Sequence, residues 1–132
     1  MRRLAAIALV VGALAVASPA GGDHTRLPPV LTIDPATVRM LLERGGVAPI
    51  DLRPESDFQT GHLPGAHSWP LATVETRLEA LPRSGVIILY GEGAIERVLR
   101  VYHLIRPRAP GDVYVLEGGL EGWRRAGYTL ER

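Results

Sequence analysis

The 132-residue sequence contains no cysteine, and this absence excludes several kinds of chemistry at once. Without cysteine the chain forms no disulfide, supplies no thiolate to a metal ion and offers no thiol nucleophile. It also lacks the cysteine that would accept a lipid after an export signal. Lysine is absent too, so all 15 basic side chains are arginines.

A strong excess of one charge is also missing. The formal net charge is +1 at pH 7, and removal of Arg2 and Arg3 with an export signal would make it −1. A chain this close to neutrality gives no indication of a nucleic-acid-binding surface. The composition of 46% hydrophobic and 22% charged residues predicts a folded chain, and its length predicts one domain.

No apolar run reaches the roughly 20 residues that a membrane-spanning helix needs. The longest, Leu4–Ala17, follows Arg2 and Arg3 and ends in Ala-Val-Ala, a pattern typical of cleavable bacterial export signals. We therefore predict a signal peptide over residues 1–17 and an exported product, periplasmic or secreted, without membrane attachment after cleavage. Cleavage after Ala20 and retention as an uncleaved anchor remain alternatives.

The rest of the chain predicts an α/β fold. Residues 18–29 are polar, contain proline and have no periodicity, so we interpret them as a flexible lead-in. Beyond them, apolar runs alternate with amphipathic segments, which favours a doubly wound sheet. The predicted strands are Val30–Ile33, Val47–Leu52, His67–Trp69, Val86–Tyr90 and Val113–Leu116. The predicted helices are Pro35–Arg44, Pro54–Thr60, Thr73–Leu81, Ile95–Ile105 and Leu120–Ala126.

The stretch Val86–Arg97, VIILYGEGAIER, is the centre of this pattern. An apolar strand leads through a glycine-containing turn into a helix, whose first N–H groups can hold an anion. Within the turn, only Glu92 and Glu96 carry functional groups, and neither is a good nucleophile for sulfur. The candidate site loop consists of Gly91, Glu92, Gly93, Ala94, Ile95, Glu96 and Arg97.

Each charged residue near this loop also has a purely structural interpretation. Glu96 lies in the first helical turn, where a carboxylate complements the helix dipole, and we prefer that role for it. Glu92 and Arg97 are expected to be solvated. Asp51 and Arg53 end a strand at the edge where α/β sites assemble, and we expect a local ion pair there.

The histidines predict no metal site. His24, His62, His67 and His103 are spaced unlike any compact metal-binding motif, so neither a metal nor another cofactor is expected. His62 is a candidate flanking the site loop, and we expect it to fix a turn by hydrogen bonding.

Three stretches, in this order and spacing, together resemble the rhodanese homology domain, the sulfurtransferase fold. They are DLRPESDF with GHLPGA (Asp51–Phe58 and Gly61–Ala66), Val86–Arg97, and VYVLEGGLEGW (Val113–Trp123). The resemblance implies a three-layer α/β domain over residues 30–132. In it, helices flank a central, mainly parallel five-stranded sheet.

The resemblance also implies what residue 91 should be. In active members a cysteine follows the strand directly, takes up a sulfane sulfur as a persulfide and passes it to a thiophilic acceptor. Gly91 stands at that position in this sequence. Because the related cell-cycle phosphatases use the same cysteine, phosphoryl transfer by that route is excluded as well. We therefore expect a member that is inactive as a sulfurtransferase and serves as a binding or accessory module.

Two alternatives remain open from the sequence. One is an enzyme with non-thiol chemistry, using Asp51, Arg53, Glu92 and Glu96. The other is a site that binds a sulfur compound or another anion. The loop would accordingly receive a protein partner or a small anion, and the sequence leaves the oligomeric state undetermined.

Overall fold

A computed structural model describes residues 26–83 and 85–132. The predicted signal peptide and the first part of the lead-in lie outside the described residues. Strands and helices alternate along the chain as the sequence predicts. Within the described ranges, no helix combines the length and apolar character needed to cross a bilayer.

Five strands form one sheet in the order β1-β5-β4-β2-β3, and every neighbouring pair is parallel. The strands are β1 (Thr32–Ile33), β2 (Val47–Asp51), β3 (His67–Ser68), β4 (Val86–Tyr90) and β5 (Val113–Leu116). The predicted parallel five-stranded sheet is thus confirmed. Because β2 and β5 flank β4, the carboxyl ends of three strands meet at one edge of the sheet.

Among the described residues, three α-helices and one 3₁₀ helix connect the strands, and a fourth α-helix follows the last strand. The helices are α1 (Pro35–Arg44), α2 (Glu55–Thr60), the 3₁₀ helix (Leu71–Ala80), α3 (Ile95–Ile105) and α4 (Gly119–Arg125). The prediction for Thr73–Leu81 was right about a helical segment but missed its tighter winding. There the Thr73 backbone N–H donates to the Pro70 carbonyl at 2.8 Å, which is the spacing of a 3₁₀ turn. The Thr73 and Thr76 hydroxyls also donate to carbonyl oxygens three residues earlier, at 2.8 and 2.7 Å.

The core has two layers, one on each face of the sheet. Ile87 and Leu89 of β4 face the layer formed with α3 and the 3₁₀ helix, whereas Ile88 and Tyr90 face the layer formed with α1 and α4. This alternation follows from the two-residue period of a strand. The buried stripe of α3 consists of Val98, Val101, Tyr102 and Ile105.

Asp34 caps the N-terminus of α1, and its removal is expected to lower the free energy of unfolding. Its carboxylate accepts a hydrogen bond from the Thr37 N–H at 3.1 Å. The side-chain hydrogen bond from Thr37 is the largest cause that lowers the pKa of Asp34 below its ordinary 3.8. We expect Asp34→Ala to cost about 1 kcal/mol at pH 7 in urea denaturation.

The pH dependence of this cap has a defined sign. Because folding lowers the pKa, the carboxylate stabilises the fold above the unfolded-state pKa, and this contribution is lost as the pH falls through the folded-state value. Asp34→Asn should keep most of the stability at pH 7, since asparagine caps equally well. Equal unfolding midpoints for the wild type and Asp34→Ala at pH 7 would contradict the prediction.

Candidate functional site

The candidate site lies at the carboxyl edge of β4, the central strand. Residues 91–94 leave that strand, and α3 begins at Ile95. The end of β2 lies on one side of this loop and the turn between β5 and α4 on the other, because the sheet order places β4 between β2 and β5. Loop residues therefore meet side chains from both neighbours.

A buried ion pair at the end of β2 supports one side of the loop. Asp51 is fully buried and Arg53 is only 4% exposed. The Asp51 carboxylate accepts hydrogen bonds from the Arg53 backbone N–H at 2.9 Å, from Nε at 3.1 Å and from Nη2 at 2.8 Å. Nη2 also donates to the Gly61 carbonyl at 2.6 Å, which ties the end of α2 to the sheet. The ion pair expected from the sequence is present.

The charge state of this pair is stabilised by its geometry. Burial alone would lower the pKa of Arg53, but the hydrogen bonds and the attraction of Asp51 outweigh it, so the pKa lies above its ordinary value. The guanidinium therefore stays protonated.

Tyr90 completes the network and was missed by the sequence reasoning. Its hydroxyl donates to Asp51 Oδ2 at 2.7 Å and accepts a hydrogen bond from the Leu63 N–H at 3.1 Å. Burial first, and then the negative charge of Asp51, raise the pKa of Tyr90 far above its ordinary value, so the hydroxyl keeps its proton. The strand register could have indicated this contact. The five-residue strands β2 and β4 pair along their whole length, which places Asp51 opposite Tyr90.

Tyr90→Phe should lower the free energy of unfolding by about 1–3 kcal/mol, because it leaves the buried Leu63 N–H without a partner and removes one of the hydrogen bonds to Asp51 Oδ2. Chemical denaturation of this variant beside Tyr114→Phe measures the effect. The Tyr114 ring is only half-buried and its hydroxyl forms no hydrogen bond within the described residues. Equal losses in both variants would show that the Tyr90 hydroxyl adds nothing.

Gly91 begins the loop and is packed from two sides. Its carbonyl accepts a hydrogen bond from the Leu120 N–H at 3.1 Å. Gly119 has φ +55°, and a Cβ there would lie 2.7 Å from the Gly91 oxygen, so only glycine fits at 119. A Cβ on Gly91 itself would lie 3.2 Å from Val98 Cγ2, close enough that this methyl group must shift slightly. Position 91 therefore accepts a small side chain at modest cost.

Two small cavities flank the loop. One, of about 220 Å³, lies between the loop and the turn after β5, and its lining includes Ile95, Val98 and Glu121. The other, of about 170 Å³, lies towards the end of β2 and is lined in part by Arg53, Leu71 and Arg97. The N–H groups of residues 92–94 donate no hydrogen bond to any other described residue. Both cavities are small for an organic substrate.

Glu92 is exposed, as expected from the sequence, and it also bridges the two sides of the site. Its side chain is 46% exposed, with Oε1 3.4 Å from Arg124 Nη1 and Oε2 4.0 Å from Arg53 Nη1. Glu96 and Arg97 are exposed and form no ion pair within residues 26–83 and 85–132. The structure therefore brings Asp51, Arg53 and Glu92 together and leaves the other two charged candidates outside this group.

His62 has a structural environment. Its Nδ1 lies 3.0 Å from the Phe58 carbonyl oxygen, and its ring stacks on the Phe58 ring with centroids 3.8 Å apart. Its backbone N–H and carbonyl pair with Glu131. Among the described residues, no three histidine or carboxylate side chains are grouped closely enough to hold a metal ion.

Comparison with known proteins agrees with this architecture. The family model described as "Rhodanese-like domain" matches residues 34–126. The chain belongs to the rhodanese-like family. The match spans the ion pair at the end of β2, the loop after β4 and the turn after β5, which are the three parts of the site.

The proteins similar to this chain include both a regulator and a sulfurtransferase. The HTH-type transcriptional regulator Rv0324 of Mycobacterium tuberculosis is 34% identical over 67% of this chain, but that match spans only 39% of the regulator. A crystal structure of the Alr3790 protein from Anabaena sp. shares 29% identity with a TM-score of 0.66, covering 75% of this chain and 81% of that one. Thiosulfate sulfurtransferase from Pseudomonas aeruginosa shares 25% identity with a TM-score of 0.70, covering 80% of this chain and 20% of that one.

Proposed function

We propose that this rhodanese-like protein is an exported binding or accessory module that does not transfer sulfur. One observation carries the proposal: the site scaffold is complete around Gly91, while the chain contains no thiol. Sulfur transfer by this fold needs a polarisable nucleophile that ionises near neutral pH and later leaves readily. Glycine at the start of the loop cannot take that role.

Non-thiol catalysis at the same loop has weaker support. Asp51 is fully buried and already accepts hydrogen bonds from Arg53 and Tyr90, so it does not face a cavity as a spare base. Glu92 lies between two guanidinium groups, and Glu96 is exposed apart from them. A general acid and a general base must each lie within hydrogen-bond reach of the substrate group whose proton they transfer, and these carboxylates do not form such a pair.

Binding of a small anion is the second candidate. The observation that favours it is the set of backbone N–H groups at residues 92–94, which have no acceptor within the described chain. Such groups bind oxyanions in many loops that precede helices. The carboxylate of Glu92 in the same loop opposes this function electrostatically.

Partner binding can be tested by capture from the exported fraction. Three baits are compared: the wild-type chain, the loop charge reversal Glu96→Arg with Arg97→Glu, and the remote reversal Arg39→Glu with Glu43→Arg. The last exchanges an exposed ion pair on α1 and keeps the net charge. We expect a protein captured by the wild type and the α1 variant but lost with the loop variant. Capture that is identical for all three baits would contradict binding at the loop.

Export is tested on the chain expressed with its own N-terminus. We expect the exported fraction to contain a protein whose first residue is Ser18 or Gly21, read by N-terminal sequencing. Changing Arg2 and Arg3 to glutamate should retain the unprocessed chain inside the cell. A wild-type product that stays inside with its N-terminus uncut would contradict the proposed location.

A further inference from the structure

We infer that Arg53 and Arg124 form an oxyanion-binding site which Glu92 keeps closed, so that the native loop excludes small oxyanions. This goes beyond the proposed function of partner binding without sulfur transfer, and it decides against the second candidate, anion binding by the native loop. It also assigns a role to a carboxylate that stands in the middle of a loop otherwise suited to anions.

The geometry of Glu92 carries the inference. The two oxygens of its single carboxylate face different guanidinium groups: Oε1 lies 3.4 Å from Arg124 Nη1, and Oε2 lies 4.0 Å from Arg53 Nη1. Sulfate and thiosulfate also present neighbouring oxygens on one central atom. Guanidinium groups recognise carboxylates and such oxyanions through the same planar N–H donors. Glu92 therefore occupies the place that an external oxyanion would take.

One guanidinium nitrogen of Arg53 is available to bind an external anion at this site. Its Nε and Nη2 are engaged by Asp51 and the Gly61 carbonyl, whereas Nη1 donates no hydrogen bond to any described residue. The side chain is only 4% exposed, and it lines the 170 Å³ cavity beside the loop. A largely desolvated guanidinium interacts with a nearby anion more strongly than an exposed one does.

The charges around Glu92 explain why the native site stays closed. Asp51 neutralises Arg53, and Glu92 neutralises Arg124, so the four side chains carry no net charge. Without the Glu92 charge the group would carry a net charge of +1. Because Glu92 is tethered beside both arginines, its effective concentration there is high, and a dissolved anion competes poorly with it.

The inference is tested with sodium thiosulfate and sodium sulfate as probes, titrated calorimetrically at an ionic strength held constant with sodium chloride. We expect Glu92→Gln to bind both probes on the order of tenfold more tightly than the wild type, because a unit negative charge about 4 Å from the arginines is removed. Glu96→Gln is the matched control, since it removes a carboxylate from the same loop without removing an ion pair. It should behave like the wild type.

A second variant identifies the site. Arg124→Gln in the Glu92→Gln background should return the affinity to the wild-type value, while thermal unfolding confirms that each variant is folded. Equal affinities of Glu92→Gln and the wild type would overturn the inference, as would an equal gain in Glu96→Gln. A double variant that keeps the higher affinity of Glu92→Gln would also overturn it. None of these readouts depends on sulfur transfer, so a failure here is distinguishable from a failure of the proposed function.

Discussion

Replacement of Asp51 by asparagine is expected to lower the free energy of unfolding by about 3–5 kcal/mol, the cost of removing one partner of a buried ion pair. The expected loss in the free energy of unfolding is large because Asp51 is fully buried and Arg53 is only 4% exposed. The neutral amide leaves the guanidinium charge uncompensated, and its NH₂ group replaces an acceptor of the Arg53 or Tyr90 hydrogen bonds. Urea denaturation at pH 7 measures the loss.

Asp57→Asn is the matched control for Asp51→Asn. It makes the same chemical change in the same segment, but Asp57 is exposed and forms no ion pair within the described residues. Its effect should stay within about 0.5 kcal/mol, as is usual at the surface. Similar losses in the two variants would mean that the buried pair does not support the site.

Gly91→Cys is expected to restore persulfide formation, at least when combined with Glu92→Arg. The backbone at 91 accepts a side chain once the Val98 methyl group, 3.2 Å from the added Cβ, shifts slightly. In the expected reaction, the thiolate attacks the sulfane sulfur of thiosulfate and sulfite leaves. Cyanide then removes the outer sulfur of the persulfide as thiocyanate. The added arginine attracts thiosulfate and lowers the pKa of the new thiol.

Mass spectrometry after incubation with thiosulfate measures the persulfide as a gain of one sulfur atom, and thiocyanate formation should exceed the wild-type background by roughly tenfold or more. Gly91→Ala provides the control, since it adds the same Cβ without a thiol and should form no adduct. If neither cysteine variant forms a persulfide while both remain folded, the loop is not shaped for sulfur.

Much of the fold was accessible from the sequence because its signals are local. Asp34-Pro35 and the glycines after Arg44 delimit α1, and the apolar run of β4 predicts a strand buried on both faces. The 3₁₀ winding of Leu71–Ala80 was not accessible. Its apolar residues have α-helical spacing, whereas its threonine hydroxyls bond to carbonyls three residues earlier and so offer the backbone an alternative to the α-helix.

The candidate site was only partly predictable, because its charges are set by contacts distant in sequence. The loop position follows from β4 and its turn, and Asp51 and Arg53 are close enough in sequence to suggest an ion pair. Glu92 meets Arg124 across 32 positions and Tyr90 meets Asp51 across 39. Such contacts depend on strand order and register, which a single sequence specifies weakly.

Thiosulfate:cyanide sulfur transfer by the purified chain beginning at Ser18 tests the central claim most directly. The chain keeps the rhodanese-like scaffold and has no thiol to carry sulfur, so we predict thiocyanate formation at the rate of a heat-treated sample. The folded Gly91→Cys, Glu92→Arg variant serves as the positive comparison in the same assay. Turnover by the wild type well above the heat-treated sample would contradict the account.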